Sequence, residues 1–141
     1  MIGAIIIMVL TLIAAIFDAR EKRIPNYLII VGLIIWIIWL IQGDYNLSDC
    51  IGGVLVPLFA LFPFYMTKGL GAGDVKLLSV CGGFVGMSCL AEYLLVVLIT
   101  SVVYGVVTAL FKKKQILNQN LITMAVPIFF GTVIYGINTI I

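Results

Sequence analysis

Long apolar runs alternate with short polar or glycine-rich breaks along the whole of this chain. The first run fills residues 1–17 and closes on Asp18; with Asp18 and Ala19 it reaches the lower length limit for a membrane-crossing helix. The polar cluster from Asp18 to Arg23 follows, and Ile24-Pro25-Asn26 opens a second run over residues 26–41. Proline near a helix start costs little, because that N–H has no partner inside the helix. Residues 42–49 read as a polar loop carrying Asp44 and Asp49. A third run spans 50–66, with Pro57 and Pro63 predicted to kink it. The fourth, residues 75–90, contains Gly82, Gly83 and Gly86, which permit close helix contact. Residues 91–111 and 121–141 complete the set, with a tight turn expected near 90–92 and Pro127 inside the last run. The pattern predicts an all-α polytopic membrane protein with six transmembrane helices, and residues 1–141 as a single transmembrane domain.

Composition supports the membrane assignment. Hydrophobic residues make up 64% of the 141, and 10% are charged, where a soluble domain carries roughly 25%. A small water-soluble fold has too much surface for its volume to hide that much apolar area. The first run resembles a signal peptide only superficially: no basic residue precedes it and no small-x-small cleavage pattern ends it. It reads as a retained span.

The charges then orient the chain. All eight basic residues (Arg20, Lys22, Arg23, Lys68, Lys76, Lys112, Lys113 and Lys114) lie in or beside the first, third and fifth connections. The second and fourth carry Asp44, Asp49 and Glu92 instead. The positive-inside rule puts the basic connections in the cytoplasm and both termini outside it. The basic clusters suit anionic lipid headgroups, at about 1 kcal/mol per charge. Cys50, Cys81 and Cys89 form no Cys-x-x-Cys pair and the chain has no histidine, so a thiolate–imidazole zinc site is excluded and the cysteines read as small apolar packing groups. No metal or cofactor is expected. Gly71-Ala72-Gly73-Asp74 lacks the Gly-Lys-Ser/Thr ending of a phosphate-binding loop, and the few basic groups hug the membrane, so no nucleic-acid partner is expected.

The chemistry concentrates in Lys68-Gly69-Leu70-Gly71-Ala72-Gly73-Asp74-Val75-Lys76. Three glycines within five residues precede a carboxylate at the mouth of an apolar run, a costly place for a charge unless it is used. On the six-span topology Asp18 ends the first helix and Asp74 opens the fourth at the same depth. Two carboxylates that share a site hold one proton between them, as aspartic proteases require. Shared depth does not establish contact, and each aspartate alone also reads as interfacial. Glu21 reads as a partner of Arg20 or Lys22, Glu92 as a packing residue on the wrong side, and Asp44 and Asp49 as solvated loop residues. Lys76 does not share a helix face with Asp74 and can snorkel to the interface.

Gly71-Ala72-Gly73-Asp74 matches the Gly-x-Gly-Asp signature of intramembrane aspartyl proteases. Continued through Val75-Lys76-Leu77, it resembles the type IV prepilin peptidase family in particular. Asp18 followed by Arg20-Glu21-Lys22-Arg23-Ile24-Pro25-Asn26 also resembles that family, which has an aspartate a few residues before Ile-Pro-Asn. The resemblance covers essentially the whole chain. It implies Asp18 and Asp74 as the catalytic pair, supported by Gly71, Gly73, Pro25, Asn26 and Lys76. The implied activity is removal of the short basic cytoplasmic leader of a prepilin or pseudopilin, with pilus or secretion assembly proteins as indirect partners. Larger members carry a cytoplasmic region with paired cysteines, and many also methylate the new N-terminus. This chain has no such pairs, and no room for the region between its first two runs. It therefore resembles a compact, peptidase-only kind, and methylation is not expected.

Two other classes compete. A small proton- or ion-coupled carrier could use the same carboxylates as a relay, although it needs polar groups near the bilayer midplane. A structural membrane subunit would tolerate the loss of either aspartate. Within the enzyme class, a presenilin-like protease of other membrane substrates is the rival.

Overall fold

The computed structural model describes residues 2–43, 45–67, 70–111 and 124–140. Among them are six helices: α1 (Ile2–Glu21), α2 (Asn26–Gln42), α3 (Leu47–Met66), α4 (Ala72–Val85), α5 (Met87–Phe111) and α6 (Ala125–Ile140). Asp44, Lys68 and Lys112 to Lys114, used above to orient the chain, lie outside the described residues, as do residues 121–123 of the sixth predicted run.

Helix α4 is the centre of the bundle. Its residues 77–84 are buried without interruption, and it packs against α1, α2, α3 and α5. Helices α5 and α6 run antiparallel, whereas α2 and α4 run parallel, with Asn26 near Lys76, Gly32 against Val80 and Trp36 against Gly83. Between α5 and α6, Tyr93 meets Thr132 at one level and Thr100 donates to the Pro127 carbonyl at another. The α3–α4 crossing is the closest: a Cβ on either Gly53 or Gly82 would collide with the carbonyl of the other. Backbones approach that closely only where both side chains are hydrogen. The chain then turns sharply at Gly86, whose φ of +81° lies in the region that side chains avoid. Asp49 of α3 closes this turn by accepting from both the N–H (3.0 Å) and the hydroxyl (2.8 Å) of Ser88 in the first turn of α5. Asp49 therefore caps a helix and is not the solvated loop residue expected. The break between the fourth and fifth runs falls at Gly86, not near 90–92, and Glu92 lies inside α5.

The six-span expectation is overturned. Among the described residues three helices are long and apolar enough to cross a membrane: Ile2–Glu21, Leu47–Met66 and Met87–Thr108. The others have 17, 14 and 16 residues, or about 26, 21 and 24 Å of helix against a hydrocarbon core of about 30 Å. For α4 the physical reason is plain: its apolar side chains face protein, not lipid. On the outer surfaces large apolar side chains stay exposed, as at Phe59 (70%) on α3 and Leu98 (60%) on α5. The protein is an all-α polytopic membrane protein with three such spans among the described residues.

Candidate functional site

The site forms where α1 ends, α2 and α4 begin, and α6 begins. Asp18 occupies the last turn of α1 and Asp74 the first turn of α4. Each is only 8% exposed. A buried carboxylate needs donors or a proton, and the two aspartates differ in what they have. Asp18 Oδ2 accepts the Ala125 N–H at 3.1 Å in a buried hydrogen bond from the first residue of α6. Asp74 Oδ1 is buried and makes no hydrogen bond among the described residues.

Burial pushes the Asp74 carboxyl up from its ordinary 3.8 to about 7, the Asp18 carboxylate beside it pushes in the same direction, and the Gly71 backbone amide opposes both. The fold thus brings the two aspartates within electrostatic reach and leaves Asp74 able to hold a proton near neutrality. Such a pair, one member ionised and the other protonated, can move a proton to and from a water or a carbonyl.

The residues around the pair meet across the same junction. A Cβ on Gly71 would sit 2.7 Å from Asp74 Oδ2, and one on Gly73 would sit 2.9 Å from the Cβ of Ile24. The glycines therefore let the start of α4 lie against the α1–α2 connection and leave room for the carboxylate. Pro25 is the N-cap residue of α2, in extended conformation (φ −69°, ψ 137°). Lys76 Nζ donates to Asn26 Oδ1 at 3.3 Å, an exposed contact from α4 to α2. Hence Ile24, Asn26, Gly73, Asp74 and Lys76, from two separate stretches of sequence, share one corner. Glu21 and Glu92 are exposed.

Sequence reasoning missed the contribution of α6. Residues 121–141 read as one run with Pro127 in its interior, whereas α6 starts at Ala125 and Pro127 falls in its first turn. Proline is well tolerated there, and read as a start signal it marks the end of α6 that reaches Asp18. Ile24 was also missed as the residue that Gly73 packs against.

The apolar helices thus hold a buried carboxylate pair at one end of the bundle. The sequence pattern of the type IV leader peptidase family matches residues 5–110, and the chain belongs to that family. It is 23% identical over 137 residues to a prepilin leader peptidase/N-methyltransferase of Pectobacterium carotovorum subsp. carotovorum, an alignment covering 92% of this chain and 46% of that protein. The chain thus spans about half the length of that curated relative. No solved structure matches it.

Proposed function

We propose that residues 1–141 act as one unit, a compact aspartyl endopeptidase of the Gly-x-Gly-Asp type that removes the basic leader of prepilins or pseudopilins, with Asp18 and Asp74 as the dyad. The observation that carries this reading is the burial of both carboxylates side by side, with Asp74 pushed up to about 7 by burial and by the charge of Asp18. Asp18 takes a proton from water as the water oxygen bonds to the scissile carbonyl carbon. Asp74 gives its proton to the carbonyl oxygen. The C–N bond of the tetrahedral intermediate then breaks, the leaving nitrogen takes the proton from Asp18, and Asp74 regains its own from the diol hydroxyl.

Gly71 and Gly73 leave space for the carboxylate and the chain that holds it. Pro25, Asn26 and Lys76 fix the corner where α2 and α4 begin. Peptidase chemistry without methylation is the proposal, because the motifs supply the dyad and nothing in them addresses a methyl donor.

Arg20, Lys22, Arg23 and Lys76 gather at the dyad end of the bundle, which supports a cytoplasmic face for the site and the opposite face for the start of α1 and the end of α6. Asp18 near anionic headgroups would meet a basic leader before its hydrophobic segment. Labelling of single cysteines placed at Arg20 or Arg23 by an impermeant reagent from outside the cell would reverse this orientation.

The test is cleavage of a co-expressed prepilin. Asp18→Ala and Asp74→Ala should each abolish processing while the protein still accumulates in the membrane; processing at the wild-type rate by either would sink the dyad. A carrier using these carboxylates as a relay would instead lose transport and have no peptidase activity to lose. The position of the pair at one end of the bundle favours the peptidase.

A further inference from the structure

The dyad needs its two members to differ, and the beginning of α6 contributes to that difference. Ala125 is completely buried and its N–H points at Asp18 Oδ2 from 3.1 Å. The first amides of a helix have no acceptor within it, and they carry the positive end of the helix dipole. α6 has 16 residues over which that dipole builds. Asp74, across the site, has the Gly71 backbone amide acting on its carboxyl but keeps a buried Oδ1 with no donor among the described residues.

The charges around Asp18 do not replace this contact. Of the helices packed on α1, α2 and α6 carry no charged residue over their lengths. α4 brings Asp74 itself and Lys76, which is turned to Asn26. On and after α1, Arg20, Glu21, Lys22 and Arg23 are exposed, where water screens them.

We propose that the Ala125 backbone amide is a positioning group that divides the dyad: it holds Asp18 as the ionised base and so leaves the shared proton on Asp74, whose Oδ1 is the atom free to meet the substrate carbonyl. This rests on the two-aspartate reading above and adds to it a structural reason for which aspartate is acid and which is base. The donor comes from a helix outside both sequence motifs.

A backbone amide can be deleted by proline. Ala125 is the first helical residue, where proline is best accepted. The Met124 carbonyl already accepts the Ile128 N–H at 3.3 Å, so Met124 is the capping residue, and a capping residue normally has the extended backbone that a following proline needs. In the full-length protein with a prepilin substrate, Ala125→Pro should lower the cleavage rate by up to about tenfold on the acidic side of the pH–rate profile, the size of one hydrogen bond to a charged group. The loss should shrink as the pH rises towards 7, which a merely distorted site does not do. Ala125→Gly, which keeps the N–H, should retain the wild-type limb. Identical profiles for the proline and glycine variants overturn the proposal while leaving the dyad intact; wild-type cleavage by Asp18→Ala overturns the dyad itself.

Should Ala125→Pro fail to accumulate, amide exchange decides. The Ala125 N–H of Asp18→Ala should exchange at least ten times faster than in the wild type, with exchange in the middle of α5 unchanged. An unchanged rate at Ala125 overturns the proposal.

Discussion

Lys76 Nζ and Asn26 Oδ1 lie 3.3 Å apart although 50 residues separate them in the chain. Their contact ties the beginning of α4 to the start of α2, two residues beyond Asp74. Together with Gly73 against Ile24, it joins the two polar interruptions of an otherwise apolar sequence into one corner. Because the bond is exposed, it contributes roughly 0.5–1 kcal/mol at most. Lys76→Met and Asn26→Ala should therefore leave the protein folded and lower cleavage only a few-fold. The double variant should lose no more than the worse single one, as a double-mutant cycle in a cleavage assay would read.

Asp74 gives the fold a pH dependence with a definite sign. Its carboxyl is pushed up from 3.8 to about 7, so between those values the folded protein binds the proton more tightly than the unfolded chain does. The stability that this group lends is full below the lower value, falls as the pH rises through the window and is gone above about pH 7. Thermal unfolding in detergent should show the wild type losing on the order of a few kcal/mol from pH 4 to pH 7 relative to Asp74→Asn. A flat difference between the two would contradict the burial of this carboxyl.

The same shift bears on activity. If Asp74 must donate its proton, cleavage should decline on the alkaline side of about pH 7. A pH–rate profile with a basic limb well above pH 9 would assign that limb to another group.

Gly71 tests the space around the dyad. A methyl group there would lie 2.7 Å from Asp74 Oδ2, so the carboxylate must move. Gly71→Ala should accumulate normally and lose tenfold or more in cleavage, since misplacement of a catalytic group by an ångström carries a penalty of that order. Retention of full activity would show that the carboxylate position is not critical.

The α3–α4 crossing and the α5 cap are structural and should separate from catalysis. Gly82→Val would drive a branched side chain into the Gly53 carbonyl and should abolish accumulation in the membrane. Asp49→Ala deletes the acceptor for the Ser88 N–H and hydroxyl. It should lower stability by about 1 kcal/mol with the cleavage rate per folded molecule unchanged.

The residue pattern alone determined that the chain is helical and membrane-embedded. Apolar runs broken at Asp18, Gly43 and Gly71 admit little else, and the scarcity of charge leaves no way to keep such a chain in water. It also singled out Asp18 and Asp74, because a carboxylate bordering an apolar run is conspicuous. The number of spans was not legible in it. Hydropathy responds equally to a side chain bound for lipid and to one bound for the protein interior, so the apolar residues of α4 counted as a span when they are the core. Nor could it show that the first amide of α6 reaches Asp18 from 107 residues away. A backbone N–H leaves no mark in an amino-acid sequence. Which amide meets which carboxylate is decided by where the helices pack, and that depends on contacts such as Gly53 on Gly82 and Gly73 on Ile24.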